Sequence, residues 1–132
     1  MGHIKPSWLS RELITNPFCY CLCLNEKEFH KKLRWLKLPR ADWPPFLRST
    51  HANATAHFFE TGEGDLAAIL CLGDTKNVGA IQIAALLVHE AVHIWQRAMA
   101  DIGETAPSDE FMAYGIQRLS QELMYSYAEQ TK

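Results

Sequence analysis

Between Val78 and Ala100 apolar side chains recur at most positions, no proline interrupts them, and the polar residues collect on one side. At about 100° per residue, Gln82, His89, Glu90, His93, Gln96 and Arg97 share an arc of roughly 120°, with Ile83, Leu87, Ala91, Ile94 and Ala98 outside it. The pattern predicts a helix buried around most of its circumference. Upstream, Phe18 to Leu24 reads as a buried strand, and Glu26 to Lys37 as an amphipathic helix with Phe29, Leu33 and Leu36 inward. Ala54 to Glu60 and Leu66 to Leu72 read as two strands joined by Thr61-Gly62-Glu63-Gly64-Asp65, a hairpin. Pro39, Trp43, Pro44 and Pro45 make an irregular connection before it. Gly103 and Pro107 should end the long helix, and Ser108 caps a final one whose core face is Met112, Ile116, Leu119, Leu123 and Tyr127. The expected architecture is α+β: a small antiparallel or mixed sheet of about three strands packed on the long helix, with the final helix alongside.

The polar arc carries the chemistry. His89 and His93 are four residues apart, so they differ by about 40° around the helix and both can direct Nε2 at one ion. That is zinc-ligand spacing. Glu90 is offset by about 100° from His89, which suits a carboxylate that acts on water rather than on the metal. The structural alternative is the solvated side of an amphipathic helix, which a lone histidine in that arc would suggest more strongly than this trio does.

The stretch Leu86-Leu87-Val88-His89-Glu90-Ala91-Val92-His93-Ile94-Trp95 resembles the active-site helix of zincin metallopeptidases. Ser108-Asp109-Glu110-Phe111-Met112-Ala113-Tyr114 resembles the second ligand helix of gluzincins, in which a glutamate completes the site. Together they look like a very small gluzincin-type peptidase of the kind found in phage and prophage genomes. The resemblance covers about the last third of the chain, from near Val78 to Tyr127, and does not extend to the first two thirds; no histidine follows His93 to supply a metzincin-type third ligand. It implies a zincin-like fold around a central metal-binding helix, a Zn²⁺ cofactor, and a peptide or protein substrate. It also implies a strand beside the metal helix that pairs with extended substrate, for which the hairpin is the candidate.

Glu110 has a case of its own, because the short Asp101–Pro107 connection should make the last two helices antiparallel neighbours and bring the start of the second beside the end of the first. Acids in a first turn are also favoured by the helix dipole alone, and Glu104 on the connecting loop competes for the role of third ligand. Tyr114, one turn after Glu110, is a candidate for steadying an oxyanion, with ordinary packing as its alternative. His57 can line a cleft, although isolated histidines such as His51 and His57 are commonly structural.

At 132 residues and 48% hydrophobic content, one domain spanning 1–132 is expected. The absence of a long uninterrupted apolar run, and of a signal-type apolar stretch after Met1, leads to the expectation of a cytoplasmic protein that does not span a membrane. Cys19, Cys21 and Cys23 alternate on one strand face, where neighbours do not form disulfides with each other, so packed reduced thiols are expected. A net charge of -2 argues against a dedicated nucleic-acid binder. Lys27, Lys31, Lys32, Arg34, Lys37 and Arg40 still make the helix over 27–40 basic on its outer face, either as a solvated surface or as a contact for nucleic acid. The rivals to a peptidase are therefore a nucleic-acid-associated module and a non-catalytic interaction protein pinned by zinc. Oligomeric state is not legible in the sequence.

Overall fold

A computed structural model describes residues 6, 8, 9, 18–62 and 64–132. The amino-terminal Met1–Lys5 stretch and Glu63 of the hairpin turn lie outside the described residues. The elements run β1 (Phe18–Cys23), α1 (Glu26–Trp35), β2 (Ala54–Glu60), β3 (Leu66–Leu72), α2 (Ala80–Asp101) and α3 (Asp109–Gln130), with a short 3₁₀ turn at Arg40–Asp42 after α1.

The sheet has order β1-β3-β2, with β1 parallel and β2 antiparallel to β3. Every residue of β3 is buried, as expected of a central strand covered on both faces. Alternation along β1 serves both covers. Tyr20 and Leu22 join Leu87, Ala91, Ile94 and Leu123 on the face of α2 and α3. Cys21 and Cys23 point the other way, with Ile69 and Cys71, against Phe29 and Leu33 of α1. All four cysteines are free thiols. Cys21 and Cys71 have their thiol pKa values pushed up, first of all by burial, which keeps them protonated and unreactive.

The hairpin closes on Thr61 N–H to Asp65 O at 2.7 Å and Gly64 N–H to Thr61 O at 3.0 Å, with Gly64 at φ 86 where a side chain would be strained. Helix α1 starts on Asn25, whose side chain accepts from Glu28 N–H at 2.9 Å. It stops two residues short of the Lys37 that periodicity suggests. Lys37 takes the left-handed conformation at φ 59, and the bonds Leu38 N–H to Leu33 O and Lys37 N–H to Arg34 O close the end, a geometry usually left to glycine. Three of the basic residues around α1 sit over indoles: Lys32 Nζ 5.0 Å from the Trp8 ring, and Arg34 and Arg40 6.0 and 5.3 Å from the Trp43 ring.

Helix α2 ends as its sequence suggests, with Gly103 at φ 79 and Glu104 N–H bonded to Met99 O at 2.9 Å. Ser108 caps α3 by accepting from Phe111 N–H at 3.2 Å. The two helices are antiparallel neighbours: Phe111, at the start of α3, stacks edge-on against Trp95 near the end of α2. At the far end of α3, the Tyr127 hydroxyl meets Thr75 Oγ1, just before α2 begins, at 3.3 Å. They pack tightly at Gly115, where an added Cβ would run into the Trp95 ring. Gln130 secures the end of α3 to the sheet by donating to Leu22 O at 2.8 Å, and Tyr20 Oη donates to Glu122. Among the described residues no helix is long and apolar enough to cross a membrane.

Candidate metal centre

Trp95 faces α3, so the wheel angle from Trp95 says where every other residue of α2 points. His89 and His93 lie about 120° and 160° around from it, on the side turned away from α3. There the two imidazoles converge. Their Nε2 atoms are 3.2 Å apart, with ring centroids at 4.8 Å and ring planes inclined by 74°. Two nitrogens held at about 2.0–2.1 Å from a tetrahedral zinc ion lie about 3.3–3.4 Å apart, so the pair is within a few tenths of an ångström of chelating geometry. Both rings are exposed and open to an incoming ion.

Glu90, one step further around, is 6% exposed. It has no hydrogen-bond or ion-pair partner among the described residues, and it lines a cleft of about 770 Å³. A buried carboxylate without a partner is costly unless solvent reaches it, and the cleft supplies that access. One wall is α2, through Glu90, His93, Gln96 and Arg97; the facing wall is β2, through Thr55 to Phe58; Pro44, Pro45 and Arg48 close the third side. Among the described residues β2 is the outer strand of the sheet, and its Thr55 to Phe58 stretch lines the cleft; the hairpin thus supplies the strand beside the histidine helix.

The loop wall is tied to β2 by two bonds. Arg48 N–H donates to Thr55 Oγ1 at 2.9 Å, and His57 Nε2 lies 2.9 Å from Phe46 O. Burial lowers the pKa of His57 from its usual value, opposed by the Phe46 carbonyl and assisted by the nearby Arg48 charge. The ring is therefore neutral at physiological pH and donates through Nε2–H to Phe46, stacked at 4.8 Å on Phe29. His57 thus both lines the cleft and buttresses its wall.

The remaining candidates stand elsewhere. Glu110 is in the first turn of α3 and exposed, about 140° around that helix from Gly115, the position that faces α2. The antiparallel packing expected from the short connection is present, yet its rotational phase turns Glu110 away from the histidines. Tyr114 is 66% exposed. It lines a separate groove on α3 with Arg118, Glu122 and Tyr125, so it does not face the histidine pair. Glu104 is exposed on the connecting loop, held by its backbone bond to Met99. Among the described residues, no three histidine, cysteine, aspartate or glutamate side chains gather into a metal-binding set. The pair fits zinc, and its third protein donor is not assembled.

Arg97 and Phe58 were not singled out by sequence reasoning as cleft residues, but the guanidinium lies 5.0 Å above the Phe58 ring. The available signal was the spacing of Arg97, four residues beyond His93 on the same arc. Comparison with known protein families, with curated proteins and with solved structures finds no match for this chain.

Proposed function

We propose that the chain is a zinc-dependent peptidase that takes an extended polypeptide into the cleft between α2 and the edge of β2. The observation that carries this reading is the 3.2 Å approach of the two Nε2 atoms, with Glu90 at the adjoining cleft. His89 and His93 are the residues that hold the metal. Bound there, zinc polarises a carbonyl and lowers the pKa of water. Glu90, buried along its stem and facing the cleft, accepts a proton from the attacking water and returns it to the leaving nitrogen. The exposed edge of β2 offers backbone donors and acceptors to an extended substrate, which fixes the direction of the peptide without reading its side chains. Glu110 would join the two histidines as a ligand only if the first turn of α3 reorients.

Glu90→Gln tests the assignment. It keeps the shape of the side chain and both imidazoles, so zinc binding measured by calorimetry should persist while peptide hydrolysis falls by about 10²–10⁴-fold. Unchanged turnover in that variant refutes Glu90 as the base. Absence of zinc-dependent cleavage by the unmodified protein across a broad peptide set refutes the peptidase.

A further inference from the structure

The cleft beside the histidine pair has a local charge opposite in sign to that of the chain. Overall the chain carries a net charge of -2, yet the cleft sets Arg48 and Arg97 against Glu90 alone. Neither arginine forms an ion pair among the described residues, whose ion pairs join His30 to Glu26, Lys31 to Glu28, Arg118 to Glu122 and Lys132 to Glu129. Arg97 lies over the Phe58 ring, which places its guanidinium at the wall of the cleft. Arg48 is anchored through its backbone to Thr55, and its charge bears on His57 inside the cleft. A positioned guanidinium with its forked donors unpaired is suited to a carboxylate. Arg97 follows His93 by one turn, a rise of about 6 Å, which an extended peptide covers in about two residues.

Building on the peptidase reading, we infer that the cleft selects an acidic polypeptide segment, with Arg97 and Arg48 holding a substrate carboxylate within about two residues of the bond presented to His89, Glu90 and His93. An acidic peptide fits better than a nucleic acid strand. The cleft offers two cations rather than a track of them, and its opposite wall is a strand edge made for polypeptide.

The test uses zinc-loaded Glu90→Gln protein, in which turnover is blocked, and fluorescein-labelled decapeptides that differ in a central Glu-Asp or Gln-Asn pair. Fluorescence anisotropy should show the acidic peptide binding about tenfold tighter than its amide match. Adding Arg97→Leu or Arg48→Gln should bring the ratio close to one, and Arg97→Glu should favour a peptide with central lysines. Circular dichroism melts identify any variant that does not fold, and the two single arginine changes serve as substitutes for each other. Equal binding of the acidic and amide peptides, or a preference that survives both arginine changes, overturns the inference. So does a single-stranded oligonucleotide that binds more tightly than the acidic peptide. The same peptides given to the unmodified zinc-loaded protein separate the two readings. Selective binding without cleavage sinks the peptidase and sustains acidic recognition; equal binding with equal cleavage does the reverse.

Discussion

Zinc should stabilise this fold, and it should do so through two side chains one helical turn apart. The Nε2 atoms stand 3.2 Å apart, against about 3.3–3.4 Å for two nitrogens on a tetrahedral ion, so binding demands movements smaller than a rotamer change. A ligand that binds the folded state alone stabilises it by about 2.7 kcal/mol at a hundred times its Kd. For a domain of this size about 3–5 °C accompanies each kcal/mol, giving a rise in Tm of about 8–14 °C. Differential scanning fluorimetry with increasing zinc measures it. His89→Ala and His93→Ala should each reduce the rise to about 2 °C or less, because a single exposed imidazole is a weak ligand. Buried Cys21, Cys23 and Cys71 are poor competitors in the folded protein, although thiols freed on unfolding bind zinc and trim the shift. A full shift that survives both histidine changes refutes the metal pair. Glu110→Ala and Glu104→Ala should leave the shift within about 2 °C of the parent, since neither carboxylate faces the pair; a collapse with Glu110→Ala would show that the first turn of α3 swings round on binding.

Two further outcomes test the frame around the site. Gly115→Ala places a methyl where the Trp95 ring stands, at 2.1 Å, and overpacking of about 1–3 kcal/mol outweighs about 1 kcal/mol gained in helix propensity, so the urea midpoint should fall; a rise would mean that α3 does not dock in this phase. His57 has its pKa lowered by burial from 6.5, so the unfolded chain takes up that proton first and stability is lost as pH falls through the window below 6.5; His57→Gln should flatten the slope of urea stability between about pH 7.5 and 5, and an unaltered slope refutes the neutral, donating ring.

Local rules carried much of this fold. The boundaries of β2 and β3 follow from apolar runs and the Gly-rich turn between them, and the start of α3 from Ser108, because strand alternation and caps are properties of a few neighbouring residues. The end of α1 was less legible, since Lys37 adopts a left-handed conformation that favours glycine. Strand order was not legible at all, because the parallel pairing of Phe18 with Leu66 joins residues far apart in sequence. At the site, His89, Glu90 and His93 share one helix and their relation is local. Glu110 depends on the phase between two helices, which the Gly115–Trp95 contact marks. A glycine in mid-helix is itself a signal of close approach, so Gly115 was the clue in the sequence that the docking face of α3 lies away from Glu110.

The same packing explains which way the histidine pair points. Helix α2 is held in rotation by two contacts that do not involve the histidines: Leu87, Ala91 and Ile94 buried in the common core with the sheet, and Trp95 seated against Gly115. Once those are satisfied, the arc containing His89 and His93 has one direction left, outward beside the edge of β2. Glu90 lies between that arc and the buried side, so the helix places its carboxylate deeper than the imidazoles, in the α2 wall of the cleft. A change that rotates α2 by even part of a residue step therefore moves both imidazoles and the carboxylate together. For that reason, damage to the Trp95–Gly115 contact should weaken zinc binding from the far side of the helix, with no ligand altered.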